Sequence, residues 1–154
     1  MQKKLLVLAA GILQVPVIKK AKDMGIYVIA ADGDANAVGL QYADKAVVVN
    51  ITSEEDVLRV AREERIDGVI HPCSEVSMNV MGRINEELGL SGITKLQAIR
   101  ATNKHLMREA FESGNAPSPK SFCFEDANKA WKCFCKELPK DGILKPCLLY
   151  TSDA

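Results

Sequence analysis

The chain has 154 residues, about one domain's worth, with 47% hydrophobic and 26% charged, enough to bury a real core and too apolar for a disordered tail. Twenty basic residues balance twenty acidic ones, so no net field draws it to nucleic acid or to a membrane surface. No apolar run approaches the ~20 residues that span a bilayer.

Leu5–Ala10 is a continuous apolar run, which predicts a parallel strand covered on both faces. It is too short for a signal peptide, stops at Gly11, and Lys19-Lys20 follow soon after. Five cysteines, an odd number, suggest no disulfide framework. The expected compartment is the cytoplasm. Ile12–Met24 carries apolar residues at helical spacing, with Pro16 in its first turn and Gly25 at its end. Ile26–Ala31 predicts a second strand, Asp32–Ala43 a polar loop, and Ala46–Val49 a short third strand. Thr52 or Ser53 caps a helix with Glu54, Glu55 and Asp56 in its first turn.

Asp67-Gly68 turns into a fourth strand, Val69–Ile70, and the loop His71-Pro72-Cys73-Ser74-Glu75 opens a helix running to about Leu88. Strand and helix in this rhythm predict an α/β fold with an open parallel sheet. From Leu90 the character changes, which places a domain boundary near residue 92. Thr94–Ile99 and Asn103–Ser113 read as short helices and Ser121–Phe124 as a strand. Asp126 caps a helix whose expected buried stripe is Ala127, Ala130, Trp131, Phe134 and Leu138; Ile143–Pro146 begins a last strand.

Gly11, Gln14 and Asp32 fall at carboxyl ends of parallel strands, where open α/β sheets bind ligands. Turn chemistry is the competing explanation. A dinucleotide fingerprint needs three glycines in this first turn, and only Gly11 is present, although Asp32 stands where a ribose-binding acid would. A nicotinamide-binding domain is therefore an alternative, as is a non-catalytic regulatory domain of the same architecture. Cys73 with His71 invites a nucleophile–base reading, but nothing in the sequence lowers the thiol pKa. Glu75 reads as a first-turn helix acid or a ligand contact. Cys133 and Cys135, two apart on a helix, are a poor metal pair. Lys145 sits in an apolar strand before Pro146, where a charge is costly without an anionic partner, and an ammonium at a strand end suits phosphate oxygens.

Taken in order, these segments resemble the ATP-grasp superfamily, in its carbamoyl-phosphate synthase-like and carboxylate–amine ligase branch. Leu5–Gln14, Val28–Asp32 with Asp34–Ala37, Tyr42-Ala43-Asp44 and Glu87–Gly92 are similar to the Rossmann-like domain that precedes the grasp. Thr102–Arg108 resembles the helix bearing the first nucleotide lysine, with Asn103 where the family often has an acid. Gly114–Pro119 resembles the following turn, and Ile143-Leu144-Lys145-Pro146 the strand with the second lysine.

The resemblance implies that residues 1–92 form the Rossmann-like domain and 93–146 the incomplete start of an ATP-grasp domain. It further implies that Lys104 and Lys145 hold ATP phosphates, and that Gly11, Gln14, Asp32 and Glu75 lie on the substrate side. The implied enzyme is a ligase that activates a carboxylate as an acylphosphate for attack by an amine or similar nucleophile. ATP and Mg2+ are its implied cofactors, and the family commonly dimerises. The metal ligands, adenine hinge and lid are expected beyond Pro146. Residues 147–154, Cys147–Ala154, are what TGT CTC TTA TAC ACA TCT GAC GCT encodes, a string resembling a transposon adapter end. They are therefore expected to be foreign to the fold, and the piece alone is expected to be inactive.

Overall fold

The structure, a computed structural model, describes residues 2–137 together with Ile143 and Lys145. Four parallel strands form one sheet in the order β3-β2-β1-β4: β1 Lys4–Leu8, β2 Tyr27–Asp32, β3 Lys45–Val48 and β4 Gly68–Ile70. Leu6 pairs with Ile29 on one side and with Val69 on the other. β1 and β2 are apolar at nearly every position because both faces of the sheet are covered. Leu6, Leu8, Ile29 and Ala31 point to one side, where they pack with Val57, Leu58, Val80 and Ile84 of α2 (Glu54–Glu64) and α3 (Met78–Leu88). Val7, Val28 and Ala30 point to the other, with Ile18 and Ala21 of α1 (Val15–Asp23). Helices on both faces of a parallel sheet make this an α/β doubly wound unit.

Local chemistry sets the element ends. Of the two candidate caps for α2, Ser53 is the one used, accepting from the Asp56 amide and donating to its carboxylate at 2.7 Å. Gly89, at φ 63°, ends α3 in the left-handed region. Asp67 accepts from the Lys4 amide at 2.9 Å, joining the starts of β4 and β1. Asp44 accepts from the Val28 amide at 2.8 Å and pairs with Lys22 at 2.9 Å. These bonds hold its carboxyl below the usual range, Lys22 contributing most. The Tyr42-Ala43-Asp44 segment thereby works as a structural joint between β2 and α1.

The chain divides into two compact units, one running to Ile99 and one from Arg100. The second contains the end of α4 (Lys95–Thr102), α5 (Lys104–Ser113) and α6 (Ala127–Glu137). Several expectations fail here. Ser121–Phe124 is exposed and forms no strand; Phe122 and Phe124 stack on each other at 6.2 Å instead. The stripe of α6 is not buried either, with Trp131 66% exposed and stacked on Phe134 at 5.7 Å. The cause is shared: among the described residues this unit holds no sheet to pair a strand or receive an apolar helix face. Leu138, residues 144 and 146, and the 147–154 tail lie outside the described residues.

Candidate functional site

β1 ends at Leu8 rather than Ala10, because Ala9 adopts φ 65° and turns the chain out of the sheet. The peptide groups of Ala10 are then held from both sides. Its N–H donates to Asp32 Oδ2 at 2.7 Å, and its carbonyl accepts from the Gly39 N–H at 2.6 Å. The other oxygen of Asp32 accepts from the Asp34 amide at 2.9 Å. Gly39 is buried so closely that a Cβ there would stand 2.6 Å from the Ala10 oxygen. The turn after β1 is thus bound to the loop after β2 at the carboxyl edge of the sheet.

Gln14 makes a second stitch. Its side chain is 5% exposed, and its Nε2 donates to the Pro72 carbonyl at 2.7 Å, tying the helical turn Ile12–Gln14 to the loop after β4. Gly11 leaves room for this side chain, since a Cβ there would stand 3.2 Å from Gln14 Oε1. Ile12 and Leu13 stand out of this turn, 68% and 62% exposed. Gly11, Gln14 and Asp32 are therefore brought together at one edge, with both side chains engaged by backbone.

The loop after β4 is organised by His71, which is buried. Its Nδ1 accepts from the Ser77 amide at 3.3 Å, and Ser77 Oγ lies 3.0 Å away. A backbone N–H can only donate, so Nδ1 is the bare nitrogen and the neutral ring carries its proton on Nε2. Nε2 is buried without a hydrogen-bond partner among the described residues. The nucleophile–base pairing is not formed: Cys73 is exposed, with its sulfur 4.0 Å from the Leu13 carbonyl, whereas the His71 Nδ1 faces Ser77. Nor is Glu75 a first-turn acid, because α3 begins at Met78 and Glu75 is exposed in the loop before it.

Burial holds the His71 imidazole below its ordinary range. The unfolded chain then takes up this proton more readily than the folded one, so stability is lost as pH falls through the ordinary imidazole range. Thermal melts are expected to shift downward between about pH 7 and pH 5. The same series on His71→Asn, which keeps an acceptor near Ser77 without ionising, should be flatter over that interval; equal slopes would show that His71 does not couple to folding.

In the second unit, Asn103 caps α5, its Oδ1 accepting from the His105 and Leu106 amides at 3.0 and 3.1 Å. This explains why an amide serves where an acid was expected: either side chain offers the accepting oxygen. Lys104 is the first residue of the helix and half-buried. Lys145 is exposed, as is Ile143, and neither lies in a strand. Exposed to water, Lys145 pays no desolvation cost of the kind expected in a buried strand. Among the described residues no group of three or more His, Cys, Asp or Glu could hold a metal ion, and no helix is long and apolar enough to cross a membrane.

Sequence reasoning missed Gly39 and Ser77. Gly39 carried no signal separating it from the other loop glycine, Gly33. Ser77 carried the cap-type signal of a serine before an apolar helix, hidden by the acid at Glu75.

No protein-family model matches the chain. It is 27% identical over 143 residues to the formate-dependent phosphoribosylglycinamide formyltransferase of Methanocella arvoryzae, a match covering 93% of this chain and 33% of the relative. The protein of the same name from Synechococcus sp. strain RCC307 is 35% identical over 98 residues, covering 64% and 24%. Among solved structures, phosphoribosylglycinamide synthetase from Anaerococcus prevotii superposes with a TM-score of 0.74 at 28% identity, over 86% of this chain and 34% of that one. N5-carboxyaminoimidazole ribonucleotide synthetase from Thermotoga maritima gives a TM-score of 0.69 at 19% identity, over 86% and 36%, a likeness of fold. The chain spans about a third of the length of the relatives it matches most extensively.

Proposed function

The chain has the fold of the ATP-grasp superfamily, and from that premise we propose that it forms the opening part of an ATP-dependent ligase. The reaction is activation of a carboxylate as an acylphosphate, followed by attack of an amine. The amine is proposed to be a phosphoribosyl amine of the phosphoribosylglycinamide type, with formate as the carboxylate. What carries this reading is the agreement in name among relatives matched over 64% to 94% of the chain, all formate-dependent phosphoribosylglycinamide formyltransferases.

Within it, Lys104 and Lys145 serve the ATP phosphates. Lys104 is the better supported of the two. A cation at the first position of a helix opposes the macrodipole, and a phosphate bound there would turn both the dipole and the charge to advantage. ATP supplies the phosphoryl group. Magnesium, proposed on the resemblance, has no candidate ligand cluster among the described residues, so other residues of the working enzyme would hold it. The turn bearing Gly11, with Gln14, Asp32 and Glu75, lies on the substrate side of the sheet. These residues alone are not expected to turn over ATP.

Two measurements test the reading. In the complete enzyme, Lys104→Ala is expected to weaken ATP binding by about tenfold or more, as loss of a charge-assisted contact should; unchanged affinity would remove Lys104 from the site. Phosphoribosylglycinamide should bind the chain in a calorimetric titration, and absence of heat would remove the substrate assignment.

A further inference from the structure

We infer that Asp32 is a positioning residue: its carboxylate fixes the Ala9–Gly11 turn that faces the substrate, and does not itself meet the substrate. The inference rests on the reading above that this edge of the sheet takes the phosphoribosyl amine.

Three observations point the same way. Both carboxylate oxygens are already engaged by backbone donors, Oδ2 by the Ala10 amide at 2.7 Å and Oδ1 by the Asp34 amide at 2.9 Å. The turn that Oδ2 holds is one the backbone would not choose unaided, since Ala9 sits at φ 65° without being glycine. Finally, the next peptide unit, between Ala10 and Gly11, is gripped by Gly39, whose N–H reaches the Ala10 carbonyl at 2.6 Å. Asp32 ends β2 and Gly39 lies in the loop that follows, so one segment clamps the donor and the acceptor of Ala10 together. Charge-assisted bonds from amides to a part-buried carboxylate are the strong kind. A ligand at this edge would meet the chain as it leaves Ala10 for Gly11, and the direction of that segment depends on this clamp.

The test uses the full chain, labelled with 15N. Hydrogen exchange at the Ala10 amide is followed alongside calorimetric binding of phosphoribosylglycinamide, in wild type and in Asp32→Asn. An asparagine turns an NH2 toward one of the two amides, so one bond is lost and a donor–donor clash replaces it. The expected result is Ala10 exchange faster by about tenfold or more and binding weaker by about tenfold or more.

Weaker binding with Ala10 still protected would mean that Asp32 touches the ligand, and would overturn the inference. So would a released Ala10 with binding intact, or an unprotected Ala10 in wild type. Should Asp32→Asn fail to fold, Gly39→Ala disturbs the same turn from the opposite side while leaving the carboxylate in place. It should weaken binding if the turn is what matters and leave it unchanged if Asp32 makes the contact. A wild-type chain that binds no phosphoribosylglycinamide overturns the substrate assignment, an outcome separate from the exchange result at Ala10.

Discussion

Gly39→Ala is expected to lower the melting temperature of the chain by about 10 °C, a loss of about 2 kcal/mol in a unit of this size. Two effects compete. Gly39 has an ordinary right-handed backbone, φ −71° and ψ −25°, so alanine is conformationally allowed and restricts the unfolded chain, a gain of about 0.4–1 kcal/mol. Against this, the added Cβ would stand 2.6 Å from the Ala10 oxygen, 3.0 Å from its carbonyl carbon and 3.1 Å from its Cα. These are backbone atoms held by Asp32, so no side chain can swing away to make room. The bond from the Gly39 N–H to Ala10 must lengthen, and overpacking of this kind costs about 1–3 kcal/mol or more. The clash wins. Gly33→Ala is the matched control, because its Cβ would meet only the Val49 oxygen at 3.8 Å, an ordinary contact. Thermal melts should separate the two variants, and equal melting temperatures would mean that the loop after β2 is not bound to the turn after β1.

That contrast also shows where reading from sequence stops. β1 and β2 were legible because a strand covered on both faces must be apolar at consecutive positions, and Leu5–Ala10 and Ile26–Ala31 are. The end of β1 was not, because the positive φ falls on Ala9, a residue type that gives no warning. The start of α3 was misplaced for a similar reason. Ser77 makes no cap bond to the helix, its hydroxyl facing His71 instead, while Glu75 two residues earlier imitates a first-turn acid. In the second unit the stripe of α6 was a sound amphipathic pattern, but a pattern says only that a face is apolar, not that a partner surface is present. At the site, alternation of strand and helix carries Gly11, Gln14 and Asp32 to one edge of the sheet. What their side chains bond to is a matter of tertiary contact, and Asp32 and Gln14 are both spent on backbone groups distant in sequence, Ala10 and Pro72. Gly39 looks like any loop glycine until Ala10 is seen beneath it.

The other large effect is expected at Gly82. Gly82→Ala should destabilise the chain by about 2 kcal/mol even though alanine is the better helix former by about 1 kcal/mol. Gly82 lies buried in α3, where a Cβ would stand 2.7 Å from Lys95 Cα, 2.7 Å from the Thr94 oxygen and 2.8 Å from the Lys95 nitrogen. The backbone entering α4 runs directly across this glycine, and it is fastened there. Asn85 donates to the Ile93 carbonyl at 3.0 Å, and Thr94 and Gln97 exchange capping bonds at 2.9 and 3.1 Å. Lys95 reaches Glu54 of α2 at 2.7 Å, and Arg83 joins Glu54, Glu55 and Glu87 at 3.1, 2.7 and 2.8 Å. Each ion pair at this exposure is worth little alone, but all of them require the Thr94–Lys95 backbone, or the helix beneath it, to stay where it is.

An added methyl pushes that segment off α3 and loosens the fastenings together. The displacement has its own signature. Lys95 contributes most to holding the Glu54 carboxyl below its usual range, with Arg83 assisting, and the stability so conferred is present at neutral pH and lost as pH falls through the carboxylate range. In Gly82→Ala, Glu54 should titrate closer to an ordinary glutamate in NMR while the melting temperature falls. Gly89→Ala is the comparison: no atom lies within 4 Å of its Cβ, and only its φ of 63° is strained, so about 1 kcal/mol should be lost with Glu54 untouched. If Gly82→Ala melts at or above wild type, helix propensity has outweighed the contact, and the entry to α4 is not held against α3.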